Sequence, residues 1–261
     1  MQLARSLKNE ALKIARSRLW LLLTLGFTIL PLVCGLFMII MKDPDAARDM
    51  GLISMKAQLV AGSADWYTML SMLNMGMSVA GLILFSIMAT WVFGREFHER
   101  TVKNLLAIPL DRSWTVLAKY LLVIAWGLLI AIYVFALGIL VGILVDIPGF
   151  SAELIWTSFG KLVLIAFLLA LLMSWVAFFA SYGRGYMAPM GWAFFTLAIA
   201  QILAVMGWGE WVPWSVPAML SEVAGPNPDP LGWGSYLSVF LSSLLGYLAT
   251  LAWWYKADQA V

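Results

Sequence analysis

The chain has 261 residues and a net charge of +2, with 63% of its residues hydrophobic and 11% charged. Soluble domains carry roughly 45–50% apolar and about 25% charged residues, so a chain this apolar is expected to be a polytopic membrane protein. Its basic residues are spread along the sequence and form no nucleic-acid patch, and Cys34, the single cysteine, excludes an intrachain disulfide.

Residues 2–18 put Leu3, Leu7, Ala11 and Ile14 on one helical face and Arg5, Lys8, Lys13 and Arg16 on the other. A basic amphipathic helix of this kind lies in the headgroup plane with its apolar side down. The apolar run that follows is too long for a signal peptide and lacks a small-residue cleavage site, so it reads as a retained span.

Six nearly charge-free runs, near 19–41, 68–93, 119–145, 157–181, 187–208 and 233–255, each approach the roughly 20 residues needed to cross a bilayer. Backbone polar groups must pair within each segment in lipid, so all six are expected to be helices of one domain spanning 1–261. The expected fold class is therefore all-α. Alternating the sides leaves twelve Lys and Arg residues in one set of connections and Lys42, Arg48, Lys56 and Lys161 in the other. That bias puts both termini in the cytoplasm. Trp20, Trp91, Trp114, Trp156, Trp208 and Trp233 fall near span ends, as interface anchors do.

The connections differ in character. Residues 42–67 are polar enough for a small external cap. The stretch 94–120, GREFHERTVKNLLAIPLDRSWTVLAKY, is a charge-dense island between two spans. Glu96 precedes Arg100 by four residues and Glu99 precedes Lys103 by four, the orientation that supports a short helix. Pro109 ends that helix, and Asp111 or Ser113 can cap the next. Before the last span, Trp211, Pro213, Trp214 and Pro217 make an apolar, broken segment that is neither a span nor a free loop.

Within the spans, Gly138 and Gly142 allow a close helix approach, either inside the chain or between copies. Asn74, Ser78, Ser86 and Gln201 are polar groups in lipid-length helices that either tie helices together or face a substrate path.

The run from Glu96 through Thr101, Val102, Lys103, Asn104 and Leu105, followed by Pro109 and a polar turn, resembles the cytosolic loop of type-2 ABC exporter permeases, in particular the bacitracin- and lantibiotic-resistance type. In that family the loop carries a coupling helix that docks on an ATPase subunit. The resemblance implies this role for Glu96, Phe97, Glu99, Arg100, Thr101, Lys103, Asn104 and Leu105. The bland reading of the same residues is a solvated surface helix. Family-like external re-entrant or interfacial helices are implied for Trp211, Pro213, Trp214 and Pro217, which would form an external lid. The implied partners are two ABC ATPase subunits, a second permease copy or homologue, and membrane lipid, with no nucleic acid.

Missing motifs narrow the chemistry. No phosphate loop GxxxxGK[ST] is present, so ATP and its magnesium are expected in a partner and no cofactor in this chain. His98 is the single histidine, which excludes HExxH metal sites and His-paired serine nucleophiles. No Asp or Glu lies deep within a span, where ion-driven transporters need one. The sequence therefore points to a non-catalytic plasma-membrane permease exporting a hydrophobic or amphiphilic substrate. A membrane scaffold that binds a cytosolic partner without transport is the alternative.

Overall fold

The computed structural model describes residues 2–43, 51, 63–99, 111–223 and 231–256. All regular structure among them is helical. In chain order the helices are α1 (Gln2–Arg16), α2 (Leu19–Lys42), α3 (Trp66–His98), α4 (Arg112–Val145), α5 (Ala152–Tyr182), α6 (Met187–Val205), a 3-10 turn (Gly209–Trp211), α7 (Val216–Leu220) and α8 (Trp233–Lys256). Six of them, α2 to α6 and α8, are long and apolar enough to cross a membrane. The expected cap within 42–67 and most of the loop after Glu99 lie outside the described residues.

The polar ends of α3 and α4 are longer than charge alone suggested. α3 runs on to His98 and α4 begins at Arg112, because nothing in either flank breaks a helix. Asp111 caps α4 by accepting from the Ser113 amide at 3.0 Å, and Asp65 caps α3 through the Thr68 amide at 2.8 Å. At the other end of α4, Asp146 takes a left-handed conformation, φ 55°, which a short polar side chain tolerates.

α3 and α5 form the enclosed centre; α2 and α4 flank one side, α8 packs along α5, and α6 lies against α5 and α3. Large apolar side chains of α2, such as Leu22, Leu25 and Ile29, point outward, as lipid-facing residues do. The Gly138–Gly142 pair serves intrachain packing. A Cβ at Gly138 would come within 2.4 Å of Leu73 on α3, and one at Gly142 within 2.6 Å of the Trp66 ring. α8 approaches α5 equally closely, with Gly246 against the backbone of Ser174. Small residues at such crossings let dispersion contacts accumulate where lipid offers no hydrophobic drive.

Candidate coupling site at the loop-bearing end of the bundle

α3 leads into the charged loop and α4 leads out of it, so the surroundings of these two helix ends decide what the loop can move. The contacts there are mainly ionic. Lys119, fully buried on α4, donates from Nζ to the Val92 carbonyl at 2.6 Å, to Glu96 Oε1 at 2.8 Å and to Glu10 Oε2 at 3.0 Å. Lys13 on α1 donates to Glu10 Oε1 at 2.6 Å and to Glu96 Oε1 at 3.0 Å. Val92 and Glu96 share a face of α3, and Glu10 and Lys13 share a face of α1, each by one-turn spacing. The result is two ammonium groups and two carboxylates closing a ring across three helices.

Burying charges is expensive unless geometry and neutrality compensate. Here each cation meets both acids, and the Phe93 ring lies 5.8 Å from Lys119 Nζ. Glu96 Oε2 is buried and has no hydrogen-bond partner among the described residues. The ring fixes α1 differently from the sequence expectation. Its packed face is centred on Ser6 and Glu10, with Leu3, Leu7 and Ile14 partly covered, while Ala11 is exposed.

A second set of contacts ties the last helix to the same end. Arg112 donates to the Trp254 carbonyl at 2.7 Å, and Trp254 Nε1 donates to Ser181 Oγ at 3.0 Å. Trp254 also meets Phe97 edge-on at 5.9 Å. The Tyr255 hydroxyl donates to Asp111, and this bond together with those from Ser113 holds the Asp111 carboxyl below its ordinary range.

These positions correct part of the expected docking surface. Glu96 was expected on a water-facing helix and is instead buried beneath α1, because Lys119 and Lys13 offer it stronger partners than water. Phe97 is half-buried against Trp254 rather than presented outward. His98 packs against the Tyr186 ring at 4.7 Å. Glu99 is exposed and pairs with Arg95 at 2.9 Å, an i,i+4 contact. Arg100, Thr101, Lys103, Asn104 and Leu105 lie outside the described residues. Lys119 was not among the expected site residues; a lysine two turns inside an apolar helix was the signal for it.

Of the polar residues within the spans, Ser86 and Ser78 reach neighbouring elements. Ser86 bonds the Leu82 carbonyl at 2.6 Å and faces Met173 of α5. Ser78 donates to the Met75 carbonyl and accepts from Ser221 at 2.8 Å. Asn74 is buried, with Oδ1 unpaired among the described residues, and Gln201 is half-buried on α6. Ser221 follows α7, and Ser78 lies twelve residues beyond the start of α3, about 18 Å along its axis at 1.5 Å per residue. The segment before α8 therefore dips well down the bundle wall. Trp214 seats edge-on against Trp192 at 5.6 Å, Ser215 bonds the Ala200 carbonyl at 3.0 Å, and Pro217 is buried. Pro213 is half-buried and Trp211 is exposed. Lys161, near the start of α5, meets Glu222 at 2.7 Å.

Comparison with known proteins agrees with this architecture. The family described as "ABC-2 family transporter protein" matches residues 6–200, from α1 into α6, so the ionic ring lies wholly inside the match. The chain is also similar to the bacitracin transport permease protein BCRB of Bacillus licheniformis, 27% identical over 182 residues that cover 68% of this chain and 85% of that protein. A six-span helical bundle whose family match takes in three quarters of its length belongs to the ABC-2 family of transporter proteins, as the membrane subunit of an ABC transporter.

Proposed function

We propose that this subunit exports a hydrophobic or amphiphilic compound, of the class that includes antimicrobial peptides and lipid-linked molecules, across the plasma membrane. Two copies, or one copy and a homologue, pair with two ATPase subunits that bind and hydrolyse ATP with magnesium. Both termini and the loop between α3 and α4 face the cytoplasm, and that loop, from Glu99 onward, seats in the ATPase. The substrate class draws on the resemblance to a permease whose name specifies bacitracin transport.

The observation that carries this reading is the ring formed by Glu10, Lys13, Glu96 and Lys119. It clamps the helix entering the loop, the helix leaving it and the N-terminal interfacial helix into one rigid corner. A push on the loop then displaces α1, α3 and α4 together, tilting the bundle instead of bending one helix end. Coupling of this kind moves substrate only if the two resulting states bind it differently. On this reading the segment before α8, whose Ser221 bonds Ser78, acts as an external lid at the far end of such a path.

The test is reconstitution with a co-expressed ABC ATPase. Export predicts that the ATPase co-purifies, that its turnover responds to an amphiphile, and that vesicles accumulate the compound on the face opposite the ATPase. Co-purification with no response of turnover and no substrate movement would favour a scaffold that only holds a partner.

A further inference from the structure

Beside the ionic ring lies a cavity of about 550 Å³ between α1 and the last turns of α3. Its wall carries Lys13, Arg16 and Arg95 against one carboxylate, Glu99, with Ser17 and the Trp91 indole alongside. Volumes of several hundred Å³ are those of small-molecule sites. Lys13 is held by Glu10 and Glu96 and Arg95 by Glu99, so Arg16 is the lining cation that, among the described residues, no acid meets and that an anion completes. Arg16 is exposed and has neither an ion pair nor a hydrogen bond among the described residues, so its fork of donors is uncommitted. Arg95 is pre-positioned, its guanidinium 5.0 Å over the Trp91 ring and its Nε on Glu99 at 2.9 Å. Guanidinium groups match phosphate oxygens bidentately.

The surroundings identify where that phosphate comes from. Leu12 lines the cavity itself, and four to six residues beyond Arg16 the chain exposes Trp20, Leu21 and Leu22 at the lipid-facing start of α2. Trp91 marks the same level on α3, where indoles settle at a bilayer interface. A phosphate held by Arg16 and Arg95 would therefore have hydrocarbon directly beside it. We propose that this cavity is a binding site for the phosphodiester headgroup of an anionic phospholipid, with the acyl chains lying along α2. The site does not depend on the export reading, since it needs only a bilayer at this level.

The test is native mass spectrometry of the full chain released from phosphatidylcholine nanodiscs doped with phosphatidylglycerol. The wild-type chain should retain phosphatidylglycerol in preference to phosphatidylcholine. Arg16→Gln should weaken retention about fivefold, and Arg16→Gln with Arg95→Gln more than tenfold. Arg5→Gln and Lys8→Gln, on α1 but outside the cavity, should leave it unchanged. Arg16→Gln removes no contact that holds the fold, so its melting temperature in pure phosphatidylcholine discs should equal the wild-type value and keeps the result readable. Equal losses for Arg5→Gln and Arg16→Gln would mean diffuse attraction to a basic helix and overturn the site. Stronger retention of inorganic phosphate than of phosphatidylglycerol would overturn the lipid assignment in favour of a soluble phosphate.

Discussion

Lys119 has no exposed surface, and three oxygens from two other helices converge on its Nζ. Replacing it by methionine keeps the volume and removes the cation, leaving Glu96 and Glu10 to share Lys13. Breaking a buried pair in this way should cost about 3–5 kcal/mol, read as a lower unfolding temperature in detergent. Adding Glu96→Gln to Lys119→Met should recover part of the loss; a single variant as stable as wild type would show that the ring holds nothing together. Glu99 gives the opposite expectation. Its pair with Arg95 is exposed, so Glu99→Lys should cost no more than about 1 kcal/mol yet weaken ATPase co-purification, because it reverses a charge at the mouth of the loop. The sequence shows each of these residues but not their pairing. Glu10, Glu96 and Lys119 are 23 to 109 residues apart, and local periodicity carries no information about which distant charge a helix face will meet. Glu96 reads as a surface residue for that reason, whereas the Asp111 cap, a contact over two residues, is legible in advance.

At the level of elements, the six spans and the amphipathic first helix follow from hydropathy and charge spacing, since a bilayer imposes both length and helicity. Their polar extensions do not, because Glu96 and Lys119 at the ends of α3 and α4 are buried against α1 by distant ion pairs that composition cannot reveal. Close crossings are similarly half-legible: GxxxG announces a contact, but only the fold assigns Gly138 and Gly142 to α3. Gly246 was unremarkable in sequence, yet a Cβ there would lie 2.5 Å from Ser174 Oγ and 3.0 Å from Ser174 backbone. Gly246→Val should force α8 off α5 and cost about 1–3 kcal/mol by overpacking, measurable as a melting shift. The segment before α8 offers a cleaner experiment. In a Cys34→Ala background, Ser78→Cys with Ser221→Cys replaces two hydroxyls 2.8 Å apart by thiols within reach of a bond of about 2.05 Å. Oxidation should remove both maleimide-reactive thiols and, if the segment moves during export, arrest transport until reduction. Persistent reactivity of both thiols after oxidation would place Ser221 away from α3 in the membrane.

For the whole molecule, membership of the ABC-2 family implies an ABC ATPase partner, and the helices of this chain gather around a compact ionic corner. That corner, the loop between α3 and α4, and the N-terminus all have to lie on the cytoplasmic side for an ATPase to drive it. The most direct measurement places a single cysteine at Glu99 in the Cys34→Ala background and asks who reaches it. Crosslinking of Glu99→Cys to the co-expressed ATPase, with no labelling by a membrane-impermeant maleimide added outside intact cells, is the outcome this account requires. Labelling from outside, with no crosslink to the ATPase, would contradict it.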